Sequence, residues 1–193
     1  MRRALLALLC LLALPAAALQ KGEPLPPLAI ERMGEILIEG DDTRYAPWDS
    51  AGLDGQRVQV LQYLAARTSA RALNKPFTDR LERSGIPLDR YHVTTIVNLD
   101  DALFGTRGFV ISELRKNKRR YHRSTIVADE TGQGLGVWRL AKGSSAIIIL
   151  GADARVLFFR EGAMSEAEIG EALEMVRGGD STAAAGGATQ ETR

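Results

Sequence analysis

Apolar positions along the chain switch between two periods, and the switches mark the elements. Val58, Val60, Leu61, Tyr63 and Leu64 read as a buried strand, followed by a helix from about Ser69 to Arg83 in which Leu73, Phe77 and Leu81 recur every four residues. Pro76 sits inside that helix, and Ser84-Gly85-Ile86-Pro87 ends it. His92 to Asn98 predicts a second strand, Phe109 to Tyr121 a second helix and Ser124 to Ala128 a third strand. Ala146 to Leu150 and Val156 to Phe159, separated by Gly151-Ala152-Asp153-Ala154, predict a hairpin. Ser165 and Glu168 have capping-box spacing at the head of a last helix that buries Ile169, Leu173 and Val176. Upstream, short strands at Ala29–Ile30 and Glu35–Ile38 are expected to join at Met33-Gly34, forming an N-terminal β-hairpin extension. A loop from Asp41 to Gly55 carrying Pro47 and Trp48 follows. Helices alternating with strands around a terminal hairpin predict a layered α/β domain.

The two ends read differently. Residues 1–18 have a basic start at Arg2 and Arg3, an apolar run from Ala4 to Leu14, and small residues at Pro15-Ala16-Ala17-Ala18, the pattern of a cleaved signal peptide. That run falls short of the roughly 20 residues needed to span a bilayer. The leader implies export. Residues 178–193, with no apolar face and rich in Gly, Ala, Ser and Thr, read as a flexible tail. Residues 19–177 then form one domain, with no internal repeat or composition break.

Cleavage changes the chemistry available. The chain has 1 cysteine, Cys10, which leaves with the leader, so thiol catalysis and disulfides are excluded from the mature form. Leu9 stands where a lipid-modified cysteine would want a small residue. Loss of Arg2 and Arg3 takes the formal charge from +1 to about −1, giving no global reason to expect nucleic acid.

Arg57 to Pro76, RVQVLQYLAARTSARALNKP, has the strand-turn-helix outline of a thioredoxin-type active site without a thiol. The element order resembles the thioredoxin-like superfamily, an α/β fold with a three-layer α/β/α sandwich and a mixed central sheet. The spacing from Arg71 to Pro76 matches that between the second active-site cysteine and the helix proline, so Thr68-Ser69-Ala70-Arg71 takes the CxxC positions. More narrowly, GQRVQVLQYLAARTSARALN, TTIVNLDDA and GVWRLAKGSSAIIILGADARVLFF are similar to the YtfJ family of exported bacterial proteins, over roughly Leu25 to Arg177. The resemblance implies fold and compartment, chiefly a periplasm, and brings no catalytic residues. It also implies that Ser145 stands where redox relatives keep a cis-proline, and the Ser144–Ser145 peptide is expected to be trans.

In such a fold three polar clusters converge on one face. Arg67, Thr68 and Ser69 head the first helix, where unpaired N–H groups and the helix dipole favour an anion, although Thr and Ser at a helix start are preferred for capping alone. Asn98, Asp100 and Asp101 follow the second strand, the acids suiting acid–base work or a cap. Ser144 and Ser145 precede the hairpin, and Trp138 either walls a pocket there or packs in the core. A hydroxyl nucleophile would need a base, and His92 and His122 do not obviously reach this face. Two isolated histidines do not predict a metal site, and no cofactor is expected. The run Arg115, Lys116, Lys118, Arg119, Arg120 and Arg123 fits either a solvated helix end or a patch for an anionic surface. The expected function is a binding module without redox chemistry, its partner an envelope protein or a small ligand. A non-thiol enzyme at the same face and a polyanion binder are the alternatives.

Overall fold

The computed structural model describes residues 19–53 and 55–178. The expected leader, with Cys10, and the expected tail beyond Gly178 lie outside the described residues. Strands β1 (Ala29–Glu39), β2 (Asp42–Asp49), β3 (Val58–Ala65), β4 (Tyr91–Asn98), β5 (Thr125–Asp129), β6 (Ser145–Leu150) and β7 (Val156–Glu161) form one sheet ordered β2-β1-β5-β4-β3-β6-β7. β3, β4 and β5 run parallel; β6 and β7 are antiparallel on one side and the β1–β2 hairpin on the other. The helices are α1 (Thr68–Glu82), α2 (Arg107–Arg120), α3 (Gln133–Val137) and α4 (Glu166–Gly178).

Strand alternation sorts the core into layers. Val58 and Val60 of β3, with Ile147 and Ile149 of β6, face Phe77 and Leu81 of α1 and Ile169 and Leu173 of α4. On the same side Val97, Ile126 and Ala128 meet Leu114 of α2. The opposite side, Leu61, Tyr63, Ile96, Val127 and Ile148, is covered by Leu28, Trp48 and Trp138. This second cover consists of α3, irregular segments and the Trp48 end of β2 rather than long helices. The thioredoxin-like mixed α/β plan holds.

The N-terminal hairpin exists, but with different arms from those expected. β1 is one continuous strand, and its turn lies at Gly40-Asp41, where Glu39 pairs with Asp42. Met33 and Gly34, with φ of 62° and 72°, make a bulge inside it. Only glycine fits at position 34, since a Cβ would lie 2.2 Å from the Ala46 carbonyl oxygen. Of the expected Asp41–Gly55 loop, Asp42–Asp49 is in fact β2, with Trp48 buried opposite Ile30. Pro47 is tolerated because β2 is an edge strand.

Two helix readings also shift. The buried line of α1 is Ala70, Asn74, Phe77 and Leu81, with Leu73 half-buried. α4 runs to Gly178, one residue into the expected tail. Its capping box forms as spaced: the Ser165 N–H donates to Glu168 Oε2 at 2.7 Å and the Glu168 N–H to Ser165 Oγ at 3.3 Å. The backbone bond from Ser165 holds the Glu168 carboxyl below its ordinary range.

Candidate functional site

Three chain segments meet at the carboxyl ends of β3 and β4. The Ala66 N–H donates to the Asn98 carbonyl at 3.0 Å and the Ala65 N–H to the Ser144 carbonyl at 2.9 Å, stitching the turn before α1 to the loops after β4 and before β6. A buried side chain, Asp101, completes the junction with 1% exposure. Its Oδ2 accepts from Asn98 Nδ2 and from the Gly143 N–H, both at 3.0 Å. Its backbone carbonyl accepts from Arg67 Nε at 2.7 Å. Asn98, equally buried, accepts from the Asp100 N–H through Oδ1 at 3.0 Å. Gly143 adopts φ 75°, which aims its N–H at Asp101 and would strain any other residue.

The second carboxylate oxygen, Oδ1, has no hydrogen-bond donor in reach. Two cations face it, Arg67 Nη2 and Lys142 Nζ, each at 3.9 Å, about an ångström too far for a direct bond. Lys142 also stands 3.8 Å from the exposed Asp100. Beside this group α1 presents its first turn: Arg67 is its N-cap with extended backbone, and no side chain caps it. Thr68 and Ser69 are exposed and inside the helix, so capping does not account for them. The face therefore combines two cations, two carboxylates and the amide end of a 15-residue helix.

The other candidates lie elsewhere. Ser145 is buried and turned beneath α1, its Oγ donating to Asn74 Oδ1 at 2.8 Å. Ser144 contributes its carbonyl. Trp138 belongs to the core: its Nε1 donates to the Pro26 carbonyl at 2.9 Å, and its ring meets Tyr63 edge-on at 5.9 Å. The peptide bonds of the described residues, Ser144–Ser145 included, are trans. His92 Nε2 bonds Thr125 Oγ1 at 3.0 Å near the far ends of β4 and β5, and His122 is exposed beyond α2. Among the described residues no cluster of three or more metal-ligating side chains occurs. A half-open cavity of about 310 Å³ at that far end, touching Trp48, His92, Thr94 and Thr125, is lined by none of the residues of the Asp101 junction.

The basic run is divided by the structure. Lys118 is buried, donating to the Ser124 carbonyl at 2.7 Å with Glu35 at 4.0 Å, so it is no part of a surface patch. Burial lowers its ammonium below the usual lysine range, with Glu35 opposing. Arg115 lies over the Tyr45 ring at 5.5 Å, and Arg119 reaches the hairpin tip at Asp41 and Asp42. Lys116, Arg119, Arg120 and Arg123 are exposed.

Sequence reasoning missed Lys142 and a network behind the site. The Tyr63 hydroxyl donates to Asp129 Oδ2 at 3.0 Å and accepts from the Leu135 N–H at 2.9 Å. Asp129, fully buried, also accepts from the Gln133 and Gly134 N–H groups at 3.0 and 2.9 Å. Burial, then the Asp129 charge, pushes the Tyr63 hydroxyl far above its ordinary range, so it stays a donor. Gly134 permits this contact, since a Cβ there would lie 2.4 Å from the Tyr63 ring. An acid ending a strand just before a Gly-rich turn was the available signal.

Residues 19–179 match the family model described as "Bacterial protein of unknown function (YtfJ_HI0045)". The uncharacterized protein YtfJ of Escherichia coli is 39% identical over 179 residues, covering 91% of this chain and 96% of that one. An uncharacterized protein of Haemophilus influenzae is 35% identical over 182 residues, covering 92% and 98%. Among solved structures, a putative thiol:disulfide interchange protein DsbE from Chlorobium tepidum superposes with a TM-score of 0.54 at 16% identity, covering 82% of this chain and 96% of that one.

Proposed function

The chain belongs to the YtfJ family of bacterial proteins, and we propose that it serves as an exported thioredoxin-like binding module without thiol chemistry. The observation that carries this reading is the junction at Asp101. A buried carboxylate with ordered partners fixes three loops at the place where the fold's redox members keep their thiols, yet positions 68–71 carry Thr, Ser, Ala and Arg. Rigid support of this kind suits recognition, because a preorganised face loses little freedom on binding. The exposed first turn of α1, flanked by Arg67 and Lys142, suits an acidic group on a small ligand or on a segment of an envelope protein. Export rests on the leader pattern in residues 1–18, which also removes Cys10.

The test is to isolate the protein from the exported fraction and identify what accompanies it by mass spectrometry, for the native chain and for Arg67→Ala/Lys142→Ala. The reading expects a mature chain beginning near Leu19 without a thiol, and a companion that the double variant loses. A companion retained equally by the variant, or reduction of a disulfide substrate by the native chain, would contradict it.

A further inference from the structure

Six large apolar side chains stand exposed among the described residues, and four of them, Leu103, Phe104, Phe109 and Tyr121, fall on one segment. Phe104 is fully exposed, Phe109 is 70% exposed and Leu103 57%. Open space surrounds the neighbouring Gly105 and Gly108, so the segment protrudes rather than lining a groove. Along α2 the exposed positions after Phe109 are Ser112, Lys116, Arg119 and Arg120, with Arg123 beyond the helix. At 3 to 4 residue steps these form one stripe roughly 17 Å long from Phe109 to Arg120, apolar at one end and basic at the other.

From Leu103 to Arg123 the chain carries 7 Lys and Arg against a single Glu, Glu113, which is half-buried and bonded to Lys116. Arg107 is held by Glu130, Lys118 is inside, and Arg119 is tied to the hairpin tip. Lys116, Arg120 and Arg123 remain at the surface with long apolar stems and charged heads.

We propose that this stripe docks the protein peripherally on an anionic lipid bilayer. Leu103, Phe104 and Phe109 enter the headgroup layer while Lys116, Arg120 and Arg123 meet lipid phosphates. Aromatic residues favour that interface, and cationic side chains add attraction to an anionic leaflet. A protein partner fits less well. A contact worth much energy needs a rim that excludes water around its apolar centre, and a protruding tip with open space beside it has none. A fluid headgroup layer closes around a tip of any shape. The proposal is independent of the ligand face at Asp101.

The experiment is co-sedimentation of the purified protein with vesicles of phosphatidylethanolamine and phosphatidylglycerol, and with phosphatidylcholine vesicles, at low and near-physiological salt. Phe104→Ser and Phe109→Ser should each lower partitioning roughly tenfold. Lys116→Gln/Arg120→Gln/Arg123→Gln should lower it about a hundredfold at low salt, near fivefold per charge, and flatten the salt dependence. All these positions are exposed, and unchanged urea midpoints will show that the variants fold. No preference for the anionic vesicles overturns the proposal, as does binding that survives both sets of changes. Loss of self-association or of binding to an acidic protein in the Phe variants, without vesicle binding by the native chain, assigns the stripe to a protein partner and likewise overturns it.

Discussion

Replacing Asp101 by Ala should be among the most damaging single changes in the domain, although the residue lies in a loop. The substitution strands two buried donors, Asn98 Nδ2 and the Gly143 N–H, each 3.0 Å from the lost oxygen. Leaving a buried donor unsatisfied costs about 1–3 kcal/mol, and there are two of them. The contact to Arg67 adds little, since that side chain is 35% exposed and its Nη2 is 3.9 Å away. The expected loss is therefore about 3–4 kcal/mol, which for a domain of this size lowers the melting temperature by roughly 10 °C. Asp101→Asn keeps one acceptor oxygen and should lose about half as much. Asp100→Ala, its exposed neighbour, should stay within about 0.5 kcal/mol of the native chain. Urea and thermal denaturation followed by circular dichroism measure all three. A loss under about 1 kcal/mol for Asp101→Ala, or equal losses at 100 and 101, would refute the account of the junction.

Other outcomes follow from single contacts. Tyr63→Phe should cost about 1–3 kcal/mol in urea unfolding, because the Leu135 N–H loses its acceptor and Asp129 loses a donor. Gly34→Ala should cost more than about 2 kcal/mol, and amide exchange should quicken in β1 and β2, since its Cβ would collide with the Ala46 carbonyl. Lys118 gives a pH signature: its folded pKa lies below the unfolded value near 10.5, so in the window between the two the unfolded chain binds more protons and stability rises with pH. The difference in stability between the native chain and Lys118→Met, measured across alkaline pH, should carry that slope, and a flat difference would contradict it.

Elements governed by local chemistry were legible in the sequence. The Ser165–Glu168 box, the β6–β7 hairpin and the strand-turn-helix around Arg67 depend on residues close together in the chain, and each stands where expected. Arg67, Asn98 and Asp101 were legible for a related reason, since strand ends in this topology converge on one face. What the sequence concealed was direction. Ser145 faces α1 and Trp138 faces the opposite core because β6 register and the α3 turn orient them, and neither is a local property. Lys118 looked like one more charge in a basic run, but the helix turns it inward, where the Ser124 carbonyl receives it. β2 was hidden by its own turn-like composition: Asp41, Asp42 and Pro47 signal a loop, and only pairing with β1 makes it a strand.

Site-specific photo-crosslinking in cells tests the central claim most directly. A photoreactive residue replaces Thr68, on the exposed first turn of α1, or Leu88, exposed in the loop between α1 and β4. The account predicts a discrete adduct from position 68 that disappears with Arg67→Ala/Lys142→Ala and is absent from position 88. An identical adduct pattern from both positions, or one at 68 untouched by the double variant, would mean that the face held by Asp101 is not where the protein binds.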